Sequence, residues 1–123
     1  MSFRNIAVVT ATVAFILGVG YLFAGALVVG RWQVAPTEGV LLLGRRMGSL
    51  YLGLSVMFFL ARSAPPSGAR TALSAGTSVT LCLLALLGVY EFTAGHAGPG
   101  IFASVLVETL LALGFVRVLR GAG

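Results

Sequence analysis

Four apolar runs, each about as long as a bilayer is thick, govern what this chain can fold into. A helix needs roughly 20 predominantly apolar residues to cross about 30 Å of hydrocarbon. The first run extends from Ile6 to Gly30, the second from Gly39 to Ala61, the third from Thr71 to Phe92 and the fourth from Ile101 to Leu119. The breaks between them are polar and rich in turn-formers: Arg31 to Gly39 with Pro36, Ala61 to Arg70 with Pro65 and Pro66, and Thr93 to Gly100 with Pro99. The expected fold is all-α, an integral membrane antiparallel four-helix bundle of one domain, 1–123. The first run exceeds the apolar core of about 7–15 residues usual in a secretory signal, so it is expected to stay as a helix.

Composition supports the same solvent. Only 9% of the 123 residues are charged and mean hydropathy is +1.06, against about 25% charged in soluble domains. A soluble chain this short could not hide that much apolar surface. All eight basic residues are arginine and the net charge is +5. They are scattered singly or in pairs, without the basic, aromatic-laced run of a nucleic-acid binder. Arg4, Arg62, Arg70, Arg117 and Arg120 fall on one side of the four spans, and Arg31 on the other, with Arg45 and Arg46 if they emerge from the membrane. The excess of positive charge inside predicts both termini in the cytoplasm. Trp32, Tyr90 and Phe92 then form an aromatic belt at the outer interface.

Without a hydrophobic drive between helices in lipid, small residues mark the contacts. At about 100° per residue, Ala7, Ala14, Gly18, Tyr21 and Gly25 share a face of the first helix. Gly44, Gly48, Tyr51 and Ser55 share one on the second. Ser74, Ser78, Cys82 and Ala85 do so on the third, and Ser104, Glu108 and Ala112 on the fourth. Cys82 is expected to be a small buried hydrophobe.

Arg45 and Arg46 interrupt the second span. An arginine at the bilayer centre costs about 2.5–3.5 kcal/mol on insertion scales. The long side chains can snorkel outward, and two acids come to a similar depth: Glu91 at the end of the third helix and Glu108 two turns into the fourth. The expectation is an outer-leaflet cluster of Arg45, Arg46, Glu91 and Glu108, with Ser49, Tyr51 and Tyr90 adding hydrogen bonds. Such a cluster could serve only to fix helix register. It could instead bind an anionic or carbonyl-bearing ligand, a lipid head group or a quinone, or pass protons through Glu108. His96 and Glu38 read as solvated loop residues.

Familiar catalytic patterns are missing. The chain has no aspartate, so no Ser-His-Asp set; Gly44 to Gly48 is a close-packing GxxxG element without the Walker lysine; and one histidine cannot make a bis-His haem site. A non-enzymatic accessory or ligand-binding subunit fits best, in contact with the bilayer and with itself or a larger membrane complex. A small homo-oligomeric transporter or ion pathway using Glu108 is the rival.

The stretch Arg46-Met47-Gly48-Ser49-Leu50-Tyr51-Leu52-Gly53, the arginine-bounded Pro65-Pro66 loop and Glu108 followed by Gly114 and Arg117 resemble the DoxX-like group of small four-helix bacterial membrane proteins. The resemblance covers most of the chain in layout and about twenty residues in motif. It implies a bacterial cytoplasmic membrane and a quinone-linked or accessory role, and it carries over no catalytic residue.

Overall fold

A computed structural model describes residues 2–121. The elements are α1 (Phe3–Phe23), α2 (Gly25–Gly30), α3 (Glu38–Ala61), α4 (Gly68–Thr93) and α5 (Ile101–Leu119). Four of them, α1, α3, α4 and α5, are long and apolar enough to cross a membrane, with 21, 24, 26 and 19 residues. At 1.5 Å per residue they measure roughly 28–39 Å. The helix of lowest hydropathy, at 1.2, is α3, because Glu38, Arg45 and Arg46 all lie on it.

The helices begin where polar caps allow. Ser2, Thr37 and Ser67 each accept a hydrogen bond from the backbone N–H three residues on, at 3.2–3.3 Å. Capping by Ser67 extends α4 one turn ahead of the apolar run that begins at Thr71. The first span is not continuous. Ala24 leaves helical geometry at φ −139° and ψ 40°, splitting off the six residues of α2. Gly18, Gly20 and Gly25 lower helix propensity around this point. The bend lets Val29 stay buried and swings Trp32 back to 6.3 Å from the Tyr21 ring.

Two antiparallel hairpins make up the bundle. In the first, α1 packs on α3: Ser55 donates to the Ala11 carbonyl at 2.7 Å, Gly18 abuts Gly48 and Tyr21 stacks on Tyr51. In the second, Gly88 of α4 receives Val105 of α5, and Phe92 meets Phe102 edge-on at 4.8 Å. The hairpins join at the end where α1 starts and α5 finishes. Phe3, Ile6, Phe58, Leu111 and Phe115 are buried there in one core, with the Phe58 and Phe115 rings 5.4 Å apart. At the opposite end the two loops touch, Gly98 N–H donating to the Trp32 carbonyl at 2.7 Å.

The outside is apolar. Ile16, Leu27, Leu50, Leu60, Leu86 and Leu113 are all more than 60% exposed, the reverse of a soluble helical bundle. Cys82 belongs to this outer surface, not to the interior as expected. The inward stripe of α4 runs through Ser74, Ser78, Leu81, Ala85 and Gly88, an alternating spacing of four and three. One residue past Leu81, Cys82 is rotated out of it.

Candidate functional site

The seams of small residues carry two tyrosines inward, Tyr21 on α1 and Tyr51 on α3. Their rings stack with centroids 5.9 Å apart and planes 2° from parallel. Trp32, tilted by 59°, closes the far side of Tyr21. Tyr21 is 4% exposed and Tyr51 half-buried. Glu108 of the other hairpin lies within electrostatic range of both rings. It is half-buried, one turn from the buried pair Leu111 and Ala112. The two tyrosines lie on one hairpin and Glu108 on the other, with no hydrogen bond between them among the described residues.

No arginine reaches this group. Among the described residues Glu108 forms no ion pair and no hydrogen bond to protein. The expected cluster of four charges is not assembled: Arg45 and Glu91 take nearer partners, and Arg46 and Glu108 take none among the described residues. Arg45 pairs with Glu38 at 3.8 Å, and both side chains are well exposed, at 49% and 84%. Such a pair contributes at most about 1 kcal/mol. Arg46 is exposed and has no ion pair among the described residues. Glu91 bonds His96 Nδ1 at 2.8 Å, across the turn that ends α4. Helical phase explains the miss. Gly44 and Gly48 face α1, so Arg45 is turned about 100° and Arg46 about 200° from the seam. α3 also meets α5 through Phe58, several turns away from the arginines.

Two expected hydrogen-bonding residues drop out as well. Ser49 donates to the Arg45 carbonyl of its own helix at 3.2 Å, the usual fate of a helical serine. Tyr90 is 57% exposed and lies edge-on to His96. Glu38, expected in a loop, is the first residue of α3. His96 remains an exposed turn residue, with Glu91 as partner. Of the residues singled out from sequence, Tyr51 and Glu108 lie within electrostatic range of each other, without a hydrogen bond. Tyr21 had been assigned to packing alone. The signal for it was present: two tyrosines, each on a seam otherwise made of glycine, alanine and serine, have room only against each other.

Chemically, the group offers two phenol hydroxyls and one carboxyl at the meeting of two hairpins, with aromatic faces beside them. That set can donate hydrogen bonds to a carbonyl or accept them from a hydroxyl. No protein-family model, curated protein or solved structure matches the chain. No group of three or more His, Cys, Asp or Glu able to hold a metal ion is found among the described residues.

Proposed function

We propose that the protein is a multi-pass membrane protein that binds the polar head of a lipid-soluble molecule between its two hairpins. Glu108, Tyr21 and Tyr51 are the binding group. One observation carries this reading: a half-buried carboxyl sits midway along an apolar helix, within electrostatic range of two phenols and with no cation paired to it among the described residues. An ionisable residue in a membrane span is expensive to keep, and it marks a functional position by default. Hydroxyl and carboxyl donors beside an aromatic stack fit a quinone or a lipid carbonyl. The role is non-enzymatic, as an accessory subunit that associates with itself or with a larger membrane complex. The likeness to the DoxX-like group supports the same reading, with a bacterial cytoplasmic membrane as its location.

Native mass spectrometry of the protein released from its own membrane in mild detergent tests this. The expected result is one lipid-soluble small molecule per chain. Its retention should fall about tenfold in Glu108→Ala and in Tyr51→Phe, the loss expected for one hydrogen bond in a dry site. Arg46→Gln should leave it unchanged. The same unpaired carboxyl also suits a proton-coupled pathway. A homo-oligomer without bound ligand, whose proton flux in vesicles is abolished by Glu108→Gln, would replace the binding reading with the transporter.

A further inference from the structure

Two long helices start at the core end of the bundle, and both start with the unfavourable charge. An α-helix carries about half a positive charge at its N-terminus, which favours carboxylates in the first turn. Neither α1 nor α4 has an acid there. Each has an arginine instead, Arg4 and Arg70. Arg62, the C-cap of α3, joins them. With Ser2 and Ser63, the three arginines line one open pocket of about 280 Å³.

Among the described residues the guanidinium groups are held in place by neutral partners. Arg4 Nη1 donates to Ser63 Oγ at 2.7 Å, Arg62 Nη1 to the Phe59 carbonyl and Arg70 Nη1 to the Ala64 carbonyl at 3.3 Å. Arg62 also lies over the Phe59 ring at 3.9 Å, and Arg70 over the Phe3 ring at 4.6 Å. A guanidinium has five N–H donors in a planar fork, so each arginine keeps most of its donors. Among the described residues none of the three has a carboxylate within ion-pair distance. The chain's three acids lie elsewhere, Glu38 and Glu91 toward the opposite end and Glu108 midway along α5. Arg117 and Arg120 end α5 on this same side and raise the potential further.

We infer that the Arg4–Arg62–Arg70 pocket binds a phosphate group. Fixed guanidinium forks match phosphate oxygens in pairs, and the two helix N-termini beside them favour the same charge. Arg62 and Arg70 flank one loop while Arg4 comes from the far start of the chain, so the pocket is complete only in the folded bundle. The phosphate could belong to an anionic glycerophospholipid or be free in solution. The place favours the lipid. The pocket opens at the ends of apolar helices, and Phe59, under the Arg62 guanidinium, is 52% exposed and offers a surface for acyl chains. The site is independent of the Glu108 group; the membrane reading enters only in the choice of lipid as the source.

The full chain, purified in a neutral maltoside detergent, provides the test. Native mass spectrometry would count adducts of phosphatidylglycerol and of phosphatidylcholine, with inorganic phosphate as competitor. The wild type should retain phosphatidylglycerol about tenfold over phosphatidylcholine. Arg4→Gln combined with Arg70→Gln should lose that preference, and Arg31→Gln, at the opposite end, should keep it. Displacement by millimolar inorganic phosphate would assign the site to the free anion; its failure to displace would assign it to the lipid. Equal retention of phosphatidylglycerol by the wild type and the double variant overturns the site, as does a wild type that binds neither probe. Should the glutamine variant not fold, Arg4→Lys with Arg70→Lys keeps the charge but not the forks. About threefold weaker retention is expected there, and equality with the wild type overturns the proposal.

Discussion

A methyl group added at position 48 would have nowhere to go. It would sit 2.8 Å from the Gly18 carbonyl oxygen and 3.1 Å from both Tyr21 Cβ and Leu22 Cγ. The close approach of α1 and α3 therefore depends on this glycine, and backbone must move to admit a larger residue. Gly48→Val should destabilise the protein by about 1–3 kcal/mol, the usual range for overpacking. Gly53, on the same helix, faces open space; Gly53→Ala should be neutral or stabilise by up to about 1 kcal/mol. Unfolding of both variants in mixed micelles by sodium dodecyl sulfate, followed by circular dichroism, makes the comparison. Equal stability of the two would remove Gly48 from the helix contact. This contact was legible in the sequence, since Gly44, Gly48 and Ser55 recur at helical spacing. The fate of Arg45 and Arg46 was not. Depth along a helix can be counted from the chain, but the partner across the seam depends on which helices pack together. Only the fold shows α3 lying on α1 while Glu108 belongs to the other hairpin.

Among the helices, three of the four long spans fall within three residues of the apolar runs at either end. The differences come from caps and glycines, whose effects are local. Ser67 accepts from Arg70 N–H at 3.2 Å through its side chain, and from Thr71 N–H at 3.0 Å through its carbonyl. It thereby adds a polar first turn that hydropathy alone does not register. Ser67→Ala should cost about 1 kcal/mol and fray that turn. The readout is faster amide hydrogen exchange at Arg70 and Thr71, with exchange at mid-helix Leu83 and Leu84 unchanged. Unchanged exchange at Arg70 would mean the cap contributes nothing. The break at Ala24 was hidden for a related reason. An apolar run gives no sign of where it bends, and glycines at 18, 20 and 25 left several candidates. The phenylalanine core was hidden by the opposite bias. Searching for small residues found the seams between paired helices, but where the two hairpins join, the large rings of Phe3, Phe58 and Phe115 fill the core beside Ala7 and Ala11.

Across the whole molecule, charge separates by end. Arg4 bonds Ser63, Arg70 bonds Ala64, and Arg70 lines a second open pocket with Val118 and Gly121. The starts of α1 and α4 and the ends of α3 and α5 therefore share one face, with five arginines. Arg31 stands at the other, joined at most by Arg45 and Arg46. A five-to-three excess, or five to one if the pair counts as buried in the span, leads the positive-inside rule to predict that face inside. Single cysteines in a Cys82→Ser background test the orientation with a membrane-impermeant maleimide. Ala35→Cys, in the loop beside Trp32, should label on intact cells, and Pro65→Cys only after permeabilisation. The reverse pattern would invert the molecule, and labelling of both on intact cells would sink the four-span reading. The expected orientation has a consequence for the arginine pocket. Anionic lipid is concentrated where juxtamembrane basic residues are retained, so in that orientation the same charges would hold the three guanidinium forks at the level of lipid phosphates. An inverted molecule would keep the pocket's geometry but separate it from that leaflet, leaving the free anion as the ligand to expect.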